Sequence, residues 1–309
     1  MLDLFSGLGG LSHGFSRSGF HVTGVDKEEL SGKVFRLNGL GDHICADLSQ
    51  ESVLREAPIV VGGPPCRPWS VMNVQRRRED HAQHRLLERF FEHVAGIRPK
   101  LFLMENVPSV KNDGRYRELL QEIRANYSVD ARVITYSNFG AATKRRPLIT
   151  VGLRKGTVTA SDFFRELESE RVPAATVGER IRWLRGLPHA GFPDHEWSQL
   201  KTIDRYEERY RSGRFGWAQL RYDEPAPSFG SVAKTYILHP EAGIDGFAKR
   251  VLSVREVLQI MGFHRDFRFP PGTSRTARYQ MAADAVSPVF SRACARAVQR
   301  LLRGQKSLR

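Results

Sequence analysis

Cys66 stands among prolines in the stretch Gly62 to Ser70, Gly-Gly-Pro-Pro-Cys-Arg-Pro-Trp-Ser, directly after the apolar run Pro58-Ile59-Val60-Val61. Ile and Val there read as a buried strand, which the Gly and Pro residues stop and turn into an exposed loop. A thiol at the carboxyl end of a strand, where α/β folds place their ligands, could serve as a nucleophile. An inert Cys in a proline-rich turn is the plainer account, and for this Cys alone the better one. Glu105 is a second candidate, because it ends the apolar run Lys100 to Met104 where a carboxyl can hold or donate a proton. A hydrogen-bonded structural Glu explains that position alone equally well. The third candidate is a ligand cradle. Ser6-Gly7-Leu8-Gly9-Gly10 is a glycine loop after a very short strand, Leu2 to Phe5, and Asp26 follows Gly7 by 26 − 7 = 19 positions. That is close to the ~20 at which nucleotide-binding α/β units place a carboxylate on ribose hydroxyls. The dinucleotide fingerprint fails, since its third glycine would fall on Ser12.

The elements that would position these groups form an alternating series. Helix-like Leu11–Arg17 follows the glycine loop, strands are expected at 21–26 and 43–46, and a fourth leads into the Cys66 loop. Successive strands then deliver Gly7, Asp26 and Asp47 to one edge. Arg85–Val94 has apolar residues at helical spacing and is expected to face the core. A fifth strand, 100–104, ends at Glu105, followed by a helix over 115–126 and strands over 130–136 and 147–153. Between Ser70 and that first helix, Val71 to His84 carries Arg76-Arg77-Arg78 and is expected to be a mobile basic loop, solvated or closing over phosphate. From about Lys155 the alternation is lost. The stretch 156–250 interleaves Arg with Trp183, Trp197, Trp217, Tyr206, Tyr210, Tyr222 and Tyr236, as either a nucleic-acid surface or the aromatic core of an irregular domain. Helices are expected again at 251–263 and 287–302.

Composition narrows the partners. Among 309 residues, 48 Lys plus Arg against 34 Asp plus Glu leave a net charge of +14, which suits a polyanion such as nucleic acid. The cysteines Cys45, Cys66 and Cys294 are far apart and lack zinc spacing, so neither a metal site nor a disulfide framework is expected. No signal peptide or membrane-length apolar run is found, which makes the cytoplasm, in association with the nucleoid, the expected location.

Taken together the segments resemble the cytosine-5 DNA methyltransferase family of bacterial type, in the family's order and over most of the chain. Asp3-Leu4-Phe5-Ser6-Gly7-Leu8-Gly9-Gly10-Leu11 resembles its cofactor loop and Pro64-Pro65-Cys66 its nucleophile motif. Glu105-Asn106-Val107 resembles its acid motif, and Leu252-Ser253-Val254-Arg255-Glu256 a late structural motif. The resemblance implies an α/β fold, a doubly wound, mostly parallel sheet of the class I methyltransferase, Rossmann-like kind, with a smaller irregular target-recognition domain. The implied division is a catalytic, S-adenosylmethionine-binding domain over 1–170, target recognition over 171–275, and a segment over 276–309 that returns to the catalytic domain.

The same resemblance implies catalysis by Cys66, Glu105 and Arg145 on a flipped-out cytosine of double-stranded DNA, with S-adenosyl-L-methionine as cofactor. Phe5, Gly7, Leu8, Gly9, Gly10 and Leu11 would line the cofactor site with Asp26, Asp47, Leu48 and Asp284. A monomer is implied, with a cognate restriction endonuclease as a candidate partner. Thr143 departs from the family by replacing the Gln of its Gln-x-Arg-x-Arg pattern, in which Arg145 is the first Arg, and Pro147 replaces the second Arg. Arg67 replaces a common Gln, and Ala283-Asp284-Ala285-Val286 stands for Gly-Asn-x-Val. The alternatives are an RNA cytosine-5 enzyme of the tRNA-modifying branch and a non-catalytic DNA-binding protein that keeps the fold.

Overall fold

The computed structural model describes residues 1–65, 84–198, 203–212, 217–229 and 237–306. Cys66, Arg67, the Arg76–Arg78 run and Tyr236 therefore lie outside the described residues. The chain forms two compact units, one of Met1–Thr135, Arg146–Arg171 and Ser291–Arg309, the other of Tyr136–Arg145 and Val172–Phe290. The second unit thus takes in 136–145 and 276–290 besides the middle stretch expected to stand as a domain.

In the first unit the elements run β1 (Leu2–Leu4), α1 (Gly10–Ser16), β2 (Thr23–Asp26), α2 (Glu29–Leu37), β3 (Asp42–Cys45), β4 (Ile59–Gly62), α3 (His84–Ile97), β5 (Leu101–Asn106), α4 (Gly114–Ile123), β6 (Tyr127–Val133), β7 (Leu148–Arg154) and α5 (Ala160–Glu168). The strands form a seven-stranded sheet in the order β3-β2-β1-β4-β5-β7-β6. All neighbours pair in parallel except β7, which is antiparallel to both β5 and β6. Buried β-branched and aromatic runs such as Ile59-Val60-Val61 and Leu101-Phe102-Leu103 are what strands covered on both faces require. The chain winds outward in one direction from β1 and in the other from β4. The order therefore reverses between these neighbours, and a switch point of this kind opens a crevice at the carboxyl ends of the strands.

Phe90, Phe91 and Tyr127 all set ring edges against Phe102 on β5. Gly152 on β7 makes room for that ring, because a Cβ there would lie 2.0 Å from it. Strands β6 and β7 begin three and one residues away from the expected starts at 130 and 147, and β5 runs on through Glu105 and Asn106. Helix α5, not anticipated, is set by a Thr159–Asp162 capping box and buries Phe163, Phe164 and Leu167.

The second unit contains α6 (Val177–Ile181), α7 (Glu207–Ser212), β8 (Ala218–Gln219), β9 (Ile237–Leu238), α8 (Val254–Met261) and α9 (Arg275–Asp284), ahead of α10 (Pro288–Lys306). Among the described residues its sheet is one short parallel pair, β8-β9, so much of their backbone must find partners elsewhere. Buried Arg255 supplies several of them, and two further arginines tie the carboxylates of the same loops. Arg255, 0 % exposed, donates to the carbonyls of Pro193, Arg265 and Phe267 and to Asp194. Arg250 is bidentate to Glu256 at 2.8 and 2.7 Å, and Arg278 joins Asp194 to Glu196. Trp197, Tyr206 and Trp217 pack on a core of Ile203, Tyr210, Leu238, Ala242 and Val251, which favours the core reading of these aromatics.

Candidate functional site

The glycine loop is turned by three alternate left-handed residues, Phe5 (φ 59°), Gly7 (φ 50°) and Gly9 (φ 80°). Phe5 is a bulky residue in a conformation that favours glycine, a local strain held by the bonds around it. Ser6 N–H donates to Val25 O at 3.0 Å and Gly9 N–H to Ser6 O at 2.8 Å. Ser31, from α2, donates its hydroxyl to Gly7 O. A Cβ on Gly7 would meet nothing within 4 Å, so open space lies beside the loop.

Asp26, at the end of β2, closes the other side of this loop. Its Oδ2 accepts Gly7 N–H at 2.9 Å and its Oδ1 accepts Glu28 N–H at 3.0 Å. A carboxylate offers about four acceptor positions, so about two remain for ligand hydroxyls. Just beyond β3, Asp47 accepts Ser49 N–H at 2.9 Å. Hydrogen bonding from Ser49 holds its carboxyl below the usual range, leaving an ionised acceptor at neutral pH. Leu48 is buried, and its carbonyl accepts from Arg89 at 2.7 Å. The loop, Asp26 and Asp47 thus share the carboxyl edge of neighbouring strands, as their order along the sequence implies. An open cradle flanked by two acceptors for hydroxyl and amino groups fits a nucleoside-bearing cofactor.

Two residues of this edge escaped sequence reasoning. Asp3 is 1 % exposed, and burial pushes its carboxyl up to about 7. Its partner is Ser12, whose hydroxyl donates to Asp3 Oδ2 at 2.5 Å. The position that breaks the dinucleotide fingerprint thus carries the donor that a buried acid on β1 requires. A polar residue one helical turn after a glycine loop and facing the sheet was the available signal.

Glu105 is the last residue but one of β5, beside the Gly62-Gly63 end of β4. It is 8 % exposed, and a Cβ built on Gly63 would lie 3.6 Å from its Oε2. Asn106 Nδ2 donates to Pro64 O at 3.2 Å and its Oδ1 accepts Val107 N–H at 2.8 Å. The Glu-Asn pair therefore holds the Gly-Gly-Pro-Pro chain on one side and places a carboxyl against it on the other.

Arg145 and Asp284 belong to the second unit, where they come together. Arg145 Nη1 donates to the carbonyls of Ala283 (2.7 Å) and Ala285 (3.3 Å), which bracket Asp284 at the end of α9. A cation on the last carbonyls of a helix is favoured by the helix dipole. The Asp284 carboxylate accepts from Gln280 on its own helix at 2.6 Å.

A doubly wound sheet whose switch-point edge offers a glycine cradle and paired carboxylates defines a class I methyltransferase. The particular family follows from comparison: the model of the C-5 cytosine-specific DNA methylase family matches residues 1–300, and the chain belongs to that family. It is a DNA cytosine-5 methyltransferase that takes its methyl group from S-adenosylmethionine. Among similar proteins, a Type II methyltransferase of Arthrospira platensis, M.AplI, is 27% identical over 99% of this chain and 87% of its own length. The Type II methyltransferase M1.HphI of Haemophilus parahaemolyticus is 29% identical over 97% and 86%. A DNA modification methyltransferase encoded within an E. coli prophage has a similar fold, with TM-score 0.72 at 21% identity over 98% of this chain and 99% of its own. The S. pombe Dnmt2 methyltransferase also shares the fold, with TM-score 0.73 at 12% identity over 98% of each chain.

Proposed function

We propose that the enzyme modifies a specific duplex DNA sequence through a covalent adduct between Cys66 and C6 of a flipped-out cytosine. The observation that carries this reading is the join between the acid motif and the nucleophile loop, Asn106 on Pro64 with Glu105 beside Gly63. C5 of cytosine is a poor nucleophile. Addition of the Cys66 thiolate to C6 pushes electron density toward N3, where Glu105 hands over a proton, and C5 becomes an enamine carbon. S-adenosylmethionine, when bound, would supply the electrophilic methyl for C5 and leave as the thioether S-adenosylhomocysteine. A base then removes the C5 proton, the S–C6 bond breaks as the C5–C6 double bond re-forms, and N3 returns its proton to Glu105, which regenerates Cys66 and the acid. Arg145 holds the cytosine in this scheme.

Phe5, Gly7, Leu8, Gly9, Gly10, Leu11, Asp26, Asp47 and Leu48 hold the cofactor in this reading, with Asp284 as a further contact. Residues 1–170 supply catalysis and 171–275 target recognition, with 276–309 returning to the catalytic part. The Type II names of the similar proteins support a place in a restriction-modification system, with a cognate endonuclease as partner. A monomer acting at the nucleoid completes the reading. Among the described residues no helix is long and apolar enough to cross a membrane.

The test is covalent capture. Duplex DNA carrying 5-fluorocytosine should trap the parent protein in the presence of cofactor, and Cys66→Ala should bind that DNA without trapping it. Trapping by Cys66→Ala rejects the nucleophile. Label transferred to tRNA and never to duplex DNA rejects the substrate.

A further inference from the structure

Arg145 is fixed at its backbone as well as at its guanidinium. Its N–H donates to Thr143 Oγ1 at 3.4 Å, and its carbonyl accepts Tyr136 N–H at 3.0 Å. Thr143 is 0 % exposed, and its hydroxyl donates to Pro227 O at 3.3 Å. A hydroxyl has one proton and two lone pairs, so this one can serve both neighbours at once. Their stiffness comes from sequence. In Pro225-Ala226-Pro227 the prolines fix φ, and a residue before proline is pushed into the extended region. Ala226 keeps the one N–H of the triplet and donates it to Ala142 O at 2.8 Å, while its carbonyl accepts Lys144 N–H at 2.7 Å. Thr143 and Ala226 thereby form a parallel bridge.

We propose that Thr143 is a positioning residue for methyl transfer, its hydroxyl tying the Arg145 backbone to the Pro225–Pro227 rail and so setting where Arg145 meets the target cytosine. The inference rests on the reading that Arg145 serves that base. The neighbouring Lys144–Glu224 ion pair, 51% and 45% exposed, adds little to the link because water screens it. The buried hydroxyl carries it. A Thr in place of the family's Gln is suited to this task, since a β-branched side chain fits the extended backbone and holds its hydroxyl at one angle.

Thr143→Val removes the hydroxyl at nearly constant shape, and Thr143→Ser keeps it. On duplex DNA, Thr143→Val should lower kcat about tenfold with KM for DNA and cofactor within about twofold of the parent, and Thr143→Ser should recover most of the loss. Thr143→Cys, with a weak donor, takes the place of Thr143→Val should the latter not fold, and its kcat should again fall with KM unmoved. Parent-like kcat in the hydroxyl-free variant overturns the proposal. So does a loss of kcat accompanied by a matching rise in KM and a lowered Tm, which marks a structural role alone. Arg145→Ala is measured beside them. If that variant keeps the parent kcat, the reading of Arg145 itself fails; if it loses activity while Thr143→Val does not, only the positioning role fails.

Discussion

The two units solve the same problem, keeping buried backbone satisfied, by opposite means. In the first, seven strands pair with one another, and the interior is mainly apolar, from Leu2 and Leu4 to Phe102 and Leu148, with Asp3 and Ser12 as a buried polar pair. Charged groups are then free to gather at the carboxyl edge, where Asp26, Asp47 and Glu105 stand. In the second, strand pairing is minimal, and the loops hang on Arg255, Arg250 and Arg278 in the interior. Apart from buried Asp3, charge gathers at the carboxyl edge of the sheet in one unit and serves architecture in the other. The first should therefore tolerate substitution of its acids better than of its rings, and the second the reverse.

The largest expected effect breaks the second unit at Arg255. Arg255→Ala leaves Asp194 with one cation fewer and orphans the carbonyls of Pro193, Arg265 and Phe267, at a cost of about 3–5 kcal/mol. Hydrogen exchange should lose protection in α8 and α9 while peptides of β4 and β5 keep theirs. Loss of protection in β4 and β5 instead would put the architecture of both units on the same footing.

Next comes a tilt with pH. His239 is 1 % exposed, and burial lowers its imidazole to about 4 among Glu256, Arg250, Glu241 and His195. Its proton binds more tightly to the unfolded chain, so stability of the second unit falls as pH drops from about 6.5 toward 4, by on the order of 3 kcal/mol. Asp3 works in reverse. Its raised carboxyl binds the proton more tightly in the folded state, which stabilises the first unit as pH falls from about 7 through 4. Three of the four tryptophans, Trp183, Trp197 and Trp217, belong to the second unit, so with Trp69 replaced by Phe a urea midpoint read by tryptophan emission should drop on acidification. Exchange in peptides of β1, corrected for intrinsic rates, should move the other way. Parallel trends would remove the contrast.

A smaller effect sharpens it. Asp26→Asn keeps an acceptor for one backbone N–H but gives up the charge, and should weaken S-adenosylmethionine about tenfold to a hundredfold by calorimetry. The Tm should shift far less than in Arg255→Ala if this acid serves the ligand. The smallest is Ser12→Ala, which deprives buried Asp3 of its hydroxyl donor and leaves it the Ser12 backbone N–H. About 1–2 kcal/mol of the first unit's stability should go, with cofactor affinity at neutral pH nearly unchanged.

What could be read in advance follows the same divide. Ile59–Val61 and Leu101–Leu103 announce buried strands because apolar runs bounded by turns have few other uses. Gly7, Asp26 and Asp47 stand at strand ends whose order is the order of the sequence. In contrast, the carbonyls that Arg255 satisfies lie up to 62 residues away, and Thr143 meets Pro227 across 84. No local pattern encodes such pairs. Helix α9, Arg-Thr-Ala-Arg-Tyr-Gln-Met-Ala-Ala-Asp, lacks a clear apolar stripe and went unanticipated, although Tyr279 and Ala283 are buried. The antiparallel strand β6 begins three residues before its expected start because Ser128 to Arg132 alternates polar and apolar residues in a way that sets no sharp end.

Gly14 on α1 carries a consequence for how the protein is made. A Cβ there would lie 2.4 Å from the backbone of Arg292, and Ser291 donates its hydroxyl to Leu11 O across 280 residues of chain. The groove that Gly14 leaves in the first helix is filled by α10, which leaves the ribosome late. While translation proceeds at about 5–20 residues per second, α1 waits on the order of ten seconds or more with its α10-facing side uncovered. The nascent chain can assemble its second unit before its first is closed. A methyltransferase built this way closes its first unit only after α10 has emerged, so products truncated before α10 should be the ones that chaperones and proteases take.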